Sequence, residues 1–337
     1  MSIHGGDIYR NHVDIDFSTN VNPLGTPESV KEALHRAVEM CGRYPDIEAE
    51  KLKTAVSGFL GTPKEYLLFG NGASELLMAV VHGINPRKTV IPVPSFYGYE
   101  YAARSVGGEI IYYAMKKENG FCLTEDIKQI LTQDIDLLFL ANPNNPVGNL
   151  ADKEMLKGLL AHCRDRGIYV LMDECFIGFC ESRFSLISEI EEFENLILVR
   201  AFTKIFSIPG VRLGYLACKN KSLRVQIADK LPEWNLSCFA QEAGRACAEE
   251  GAFIEETRQY IEEERRFLES GFNDKGLKVF PSAANFIMVY SDIPLYEKLL
   301  KEGILIRDCS NFRGLKKGYY RIAVKGRKEN EMLLSRV

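Results

Sequence analysis

The 337-residue chain contains no apolar run approaching the ~18 residues that a membrane-spanning helix needs. It also carries no excess of one charge: 42 Lys and Arg against 46 Asp and Glu leave a net of −4. A protein that works on nucleic acid or on an acidic membrane surface gathers basic residues, so neither partner is expected. Nine cysteines are present, an odd number, and no two have the C-x-x-C spacing of a zinc or redox site. No metal is expected. Cys163, Cys175 and Cys218 lie in apolar surroundings and read as small buried hydrophobes of a reducing compartment. The opening Met-Ser-Ile-His-Gly-Gly-Asp lacks the apolar stretch of a secretory leader, which predicts a cytoplasmic protein. No internal repeat or low-complexity segment stands out.

What is present is an alternation. Apolar runs such as Thr89–Val93, Glu109–Tyr113, Leu137–Ala141, Ile168–Met172 and Leu196–Val199 predict strands. Amphipathic stretches such as Lys153–Arg164 lie between them and predict helices. Continuous apolar strands between helices imply an α/β fold, with a mostly parallel sheet covered on both faces. After about residue 220 the texture changes. A long charged helix, roughly Gly251 to Ser270, precedes short strands at Asn285–Tyr290, Ile304–Arg307 and Tyr319–Val324. The expected organisation is an N-terminal arm and helix over 1–40 that pack on the small domain, a large domain over 41–220, and a smaller α+β domain over 221–337.

In an open α/β sheet, ligands bind beyond the carboxyl ends of the strands. Several chemically useful groups fall at such ends. Gly70-Asn-Gly72-Ala73-Ser74 joins a strand to a helix, where free N–H groups and the Ser74 hydroxyl make an anion cradle. The plainer reading is a tight turn with Ser74 as N-cap. Phe96, in Pro94-Ser-Phe96, is placed to stack on a planar ring. Asn145, in a loop stiffened by Pro143 and Pro146, can aim an amide at a ring substituent. Asp173, at the end of Ile168–Met172 and followed by Glu174, can pair with a protonated ring nitrogen. Lys204 follows Asn195-Leu-Ile-Leu-Val199 and lies in the run Arg200-Ala-Phe-Thr-Lys204-Ile-Phe-Ser-Ile-Pro-Gly-Val-Arg212. Its amine can form a Schiff base with an aldehyde, and Thr203 and Arg212 can hold a phosphate. Pyridoxal 5′-phosphate (PLP) carries an aldehyde, a ring nitrogen and a phosphate. Cradle, ring, amide, carboxylate, lysine and arginine come in one order along the chain.

With those residues in place the chain resembles the fold-type I PLP enzymes of the class I/II aminotransferase group over nearly its whole length. Arg43-Tyr44-Pro45-Asp46, Pro143-Asn-Asn145-Pro and Asp173-Glu174 resemble the histidinol-phosphate aminotransferase branch. His4-Gly5-Gly6-Asp7, Asp16-Phe-Ser-Thr-Asn20-Val-Asn-Pro-Leu-Gly25, Asp173-Glu-Cys-Phe176 and the segments around Arg307 and Arg321 are similar to the L-threonine-O-3-phosphate decarboxylases, which make a cobalamin side-chain precursor. The resemblance implies that Lys204 is the Schiff-base lysine, Asp173 the pyridinium partner and Asn145 a contact of the ring oxygen. It gives the phosphate to Gly72, Ala73, Ser74, Thr203 and Arg212, with Tyr44 reaching the phosphate of a partner subunit, hence a homodimer with shared sites. His4, Gly5, Asn20, Asn145, Arg307 and Arg321 match substrate-contacting positions.

Two departures stand out. Phe176 lacks the hydroxyl that the aminotransferase branch usually places there, although the decarboxylases share Phe. Ala201 replaces a Ser or Thr that commonly binds the phosphate. The expected activity is decarboxylation of L-threonine O-3-phosphate, with Arg321 on the carboxylate and Arg307, His4 and Asn20 on the phosphate. The competing readings are an aminotransferase for histidinol phosphate or a related amino acid, and a non-catalytic protein of the same fold.

Overall fold

The computed structural model describes residues 5–337. Seven strands form its main sheet, in the spatial order Leu67–Asn71, Leu213–Ala217, Leu196–Ala201, Tyr169–Asp173, Leu137–Ala141, Lys88–Val93 and Glu109–Ala114. Six run in one direction, and Leu213–Ala217 pairs antiparallel with both of its neighbours. That reversed strand was not anticipated. Its five residues Leu-Gly-Tyr-Leu-Ala are too short and mixed to separate from the turn that precedes them.

Burial on both faces explains the continuous apolar runs. Leu137 and Phe139 point into one core with Leu171, Ile197 and Val199. Leu138 and Leu140 point into the other with Val170, Met172, Leu196 and Leu198. The alternation of a pleated strand is therefore apolar on either side. Helices Ala73–Ile84, Tyr97–Arg104 and Lys221–Ala228 cover the first face through residues such as Leu76, Val80, Tyr99 and Ile227. Helix Lys153–Arg164 covers the second, with Asp152 accepting from the Met155 N–H at its start.

The C-terminal part builds a four-stranded antiparallel sheet in the order Arg307–Asp308, Tyr319–Ala323, Phe286–Tyr290 and Lys278–Phe280. The predicted strand Ile304–Arg307 is in fact two. Ile304–Leu305 pairs in parallel with Ile15–Asp16 of the N-terminal arm, and the chain changes sheets at Ile306. The arm is thus stitched in: Phe17 N–H donates to Leu305 O at 2.7 Å, and Ala323 N–H donates to Phe17 O at 2.9 Å. The long helix runs Gly251–Asp274. Its charges are not all solvated. Glu264 is buried and accepts from Arg327 Nε and Asn330 Nδ2, both at 2.8 Å, which fastens the terminal helix Arg327–Arg336.

Candidate active site

Five of the six strands that run together, all but the edge strand Glu109–Ala114, deliver their C-terminal ends to one cavity of about 680 Å³. Phe96, Asn145, Asp173, Thr203, Lys204 and Arg212 line it from the main sheet's loops. Gly5, Asn20, Arg307 and Arg321 line it from the arm and the small sheet. His4 lies outside the described residues. Tyr44 is not part of this wall: it is 80% exposed, and its ring lies 5.0 Å from that of Trp234.

The anion cradle is built by glycine. Gly72, not Ser74, is the N-cap of helix Ala73–Ile84, with φ of 78° and no side-chain cap. A Cβ on Gly72 would fall 2.4 Å from Arg212 Nη2, so the guanidinium rests on the glycine itself. The first-turn N–H groups and Arg212 converge there, an arrangement suited to a phosphate. Ala73 and Ser74 line the cavity beside them, as does Ala201, which brings only a methyl group.

Lys204 sits in the short turn Phe202–Ile205 directly after strand Leu196–Ala201. The arm holds this turn. Asn22 N–H donates to Lys204 O at 3.0 Å, and Asn22 Nδ2 donates to Ile205 O at 2.7 Å and Thr257 Oγ1 at 2.8 Å. Burial first, and the positive charge of Arg321 next, with Arg212 adding to it, lower the Lys204 pKa to about 8. An amine so poised is partly neutral, and hence nucleophilic, near neutral pH.

Asp173 and Glu174 part company. Glu174 turns away from the cavity into a buried pair with Arg200, at 2.7 Å, and also accepts from Ser185 Oγ and Leu186 N–H. It is structural. Asp173 stays in the cavity wall, accepting from Tyr99 Oη at 2.7 Å and from Cys175 N–H at 2.9 Å.

The small sheet contributes an electrostatic oddity. Arg307 and Arg321 are directly opposite each other in antiparallel strands, and both are buried. Like charges so placed repel. Their hydrogen bonds go to neutral oxygens: Arg321 donates to Asn145 Oδ1 at 2.6 Å and Ser18 O at 2.8 Å, and Arg307 donates to Asn311 Oδ1 at 2.8 Å and to Asp308 O. Burial lowers the pKa of both, that of Arg321 to about 10, so each still carries its charge at neutral pH. Asn20 belongs with Arg321, not with Arg307: its amide oxygen, oriented to satisfy the contact, accepts from Arg321 Nη1 at 3.3 Å and Nε at 3.2 Å. With Oδ1 of Asn145 also on Arg321, the donor end of that amide is the one left to serve a ligand.

The segment Ser310–Leu315 roofs the cavity. Arg313 ties it to helix Tyr97–Arg104 by two bonds to the Glu100 carboxylate, each 3.0 Å. Sequence reasoning missed this roof, as well as Ser18, Tyr99 and Cys175. Tyr99 alone had a signal, since it lies three residues after Phe96 at the start of a helix and so shares its face.

The model of the family described as aminotransferase class I and II matches residues 13–337. The chain belongs to the class I and II aminotransferase family. It is 34% identical to a threonine-phosphate decarboxylase of Salmonella typhimurium, with 99% of this chain and 95% of that protein covered. Among solved structures it is similar to a histidinol-phosphate aminotransferase from Clostridium acetobutylicum, with a TM-score of 0.90, 33% identity and 95% and 97% of the two chains covered. An L-threonine-O-3-phosphate decarboxylase from Porphyromonas gingivalis shares the fold, with a TM-score of 0.84 at 24% identity over 95% of this chain and 97% of that one. The chain is a PLP-dependent enzyme of fold type I. The cavity suits that cofactor: the glycine-built cradle with Arg212 matches a phosphate, the Phe96 wall a planar ring, and the low-pKa Lys204 an aldehyde. Among the described residues no group of His, Cys, Asp and Glu could hold a metal ion, and no helix is long and apolar enough to cross a membrane.

Proposed function

We propose that this enzyme decarboxylates L-threonine O-3-phosphate to 1-amino-2-propanol O-2-phosphate. The observation that carries the reading is the facing pair Arg307 and Arg321, buried in the cavity of Lys204 with no carboxylate of the described residues among their hydrogen-bond acceptors. A substrate with a carboxylate at one end and a phosphate at the other neutralises both. The relative from Salmonella, which is named for that activity, supports the same choice.

Bound PLP supplies an aldehyde for the amine and a ring that accepts the electron pair of the broken bond. The chain supplies the rest. Lys204 gives the amine and afterwards would deliver one proton to the substrate carbon that has lost its carboxylate. Asp173 is the partner of the ring nitrogen, and Phe96 stacks on the ring. Gly72, Ala73, Ser74, Thr203 and Arg212 take the cofactor phosphate, and Asn145 donates to the ring oxygen. Arg321 with Asn20 holds the carboxylate end, and Arg307 holds the phosphate end, joined by Gly5 and by His4 from the terminus. Two anchored ends would fix the rotation of the substrate, and that rotation decides which bond breaks. Residues 41–220 form the cofactor-binding part and 221–337 the small domain, with the 1–40 arm belonging to the latter; the pairing of Ile15–Asp16 with Ile304–Leu305 supports this division. The exposed Tyr44 would reach the cofactor phosphate of a second copy, so the working unit is a homodimer with shared sites, placed in the cytoplasm.

Transamination of histidinol phosphate is the competing activity, favoured by the likeness to the Clostridium structure. That substrate has no carboxylate and leaves one of the two arginines unmatched. The two are separated by supplying the holoenzyme with L-threonine O-3-phosphate alone, or with histidinol phosphate and 2-oxoglutarate. The proposal expects amine product from the first mixture and, from the second, glutamate at least ~100-fold more slowly, the loss of a charged contact being worth about that factor. Glutamate formation as the faster reaction contradicts it.

A further inference from the structure

Asp173 is held from two sides before any ligand arrives. Cys175 N–H donates to Oδ1 at 2.9 Å, and the Tyr99 hydroxyl donates to Oδ2 at 2.7 Å. Tyr99 is only 2% exposed. Its ring is stacked on Phe139 with centroids 5.2 Å apart, and it meets Phe96 edge-on at 5.6 Å. One side chain therefore touches both the carboxylate and the aromatic wall that the cofactor ring would lie against. Burial first and the Asp173 charge next push the ionisation of this hydroxyl well above 10. It is a donor throughout the working range of the enzyme.

We propose that Tyr99 is a positioning residue of the reaction. Its hydroxyl fixes the Asp173 carboxylate and draws off part of its charge, and its ring sets the angle of Phe96. The inference rests on the reading that Asp173 meets the ring nitrogen of the cofactor. A carboxylate whose oxygens each accept one fixed donor cannot swing, so the direction of its remaining lone pairs is set. Sharing the negative charge with a phenol also sets how strongly it holds a proton on the ring nitrogen, and hence how well the ring draws electrons. The arginines that anchor the substrate lie on the small sheet and donate to Asp308 O, Asn311, Asn145 and Ser18 O, not to Tyr99 or Asp173. Tyr99 therefore acts on the bond-breaking step and not on substrate binding.

A plain core tyrosine, filling space between Phe139 and Phe96, predicts something else. Tyr99→Phe keeps the ring and removes only the hydroxyl, and Tyr99→Leu removes both. For purified Tyr99→Phe holoenzyme the expected results are a displaced visible absorption maximum of the bound cofactor and a cofactor dissociation rate raised about tenfold. A kcat lowered about tenfold, with KM for L-threonine O-3-phosphate within about twofold, completes the pattern expected from losing a hydrogen bond to a charged group. Wild-type absorption, cofactor release and kcat in Tyr99→Phe, with losses only in Tyr99→Leu, overturn the inference in favour of packing. So does a Tyr99→Phe chain that cannot fold, because the hydroxyl is then a structural requirement. Asp173→Asn separates the premise from the inference. An unchanged spectrum and cofactor release in Asp173→Asn contradict the role given to Asp173 itself. A changed Asp173→Asn beside an unchanged Tyr99→Phe contradicts only the role given to Tyr99.

Discussion

Lys204 shows how far a single side chain is shaped by its surroundings. Its pKa of about 8 comes from burial and from Arg321 and Arg212, all of which oppose the charged form. In the cofactor-free protein this has a stability consequence. The unfolded lysine, near its ordinary value of 10.5, binds more protons than the folded one between about pH 8 and 10.5. Stability from this group therefore rises with pH through that window, and the penalty is complete below it. Lys204→Met should melt higher than wild type at pH 7 in the absence of PLP, by roughly 2–4 °C, with the gap closing toward pH 10.5. Thermal scans across pH check this. The facing arginines make a similar trade. Arg321→Ala should lower kcat/KM roughly 100-fold, since charge-assisted contacts are lost, yet should leave the ligand-free protein no less stable because a repulsive pair is removed. Steady-state kinetics and thermal melts on the same preparation test both halves. At Ala201 the direction reverses: Ala201→Ser adds a hydroxyl to the cavity wall and should slow cofactor dissociation about fivefold, the value of about one net hydrogen bond.

At the scale of elements, the reading of the sequence succeeded where the apolar pattern was unbroken and failed where elements were very short or their pattern mixed. Lys153–Arg164 and Leu137–Ala141 have the bounds that their apolar spacing predicts. Lys278–Phe280 and Ile15–Asp16 escaped notice because strands of two or three residues carry too little pattern, and Leu213–Ala217 because Gly214 interrupts its apolar run. The strand-end motifs stood out because they put unusual residues at strand ends, and the structure gathers Phe96, Asn145, Asp173, Lys204 and Arg212 into one cavity. Long-range partners were not: nothing in Asn22 announces that it clamps the turn of Lys204, or in Arg313 that it reaches Glu100. Gly72 gives the element-scale prediction. With φ of 78° and Arg212 Nη2 only 2.4 Å from a Cβ, Gly72→Ala must displace the guanidinium. PLP affinity measured by absorbance titration should fall at least about tenfold, while circular dichroism stays that of a folded chain.

For the whole molecule, the site exists only because distant parts of the chain close on it. The main sheet presents the cofactor residues, the small sheet the arginines, and the arm both Asn20 and the Asn22 clamp. Tyr44 extends the argument past one chain, since it is 80% exposed beside Trp234 and outside its own cavity. Tyr44→Ala should leave the fold of the subunit intact and speed PLP release about fivefold, and sedimentation of the wild type should give a dimer. Which bond the assembled cavity breaks decides the reaction. The most direct measurement supplies the holoenzyme with L-threonine O-3-phosphate labelled with 13C in the carboxylate, in D2O and without any keto acid. The prediction is one labelled CO2 released per 1-amino-2-propanol O-2-phosphate formed, with one deuteron on the carbon that lost it. Label retained in the amino acid, with deuterium exchanged at that carbon and no CO2, would contradict decarboxylation and leave an enzyme that breaks the carbon–hydrogen bond instead.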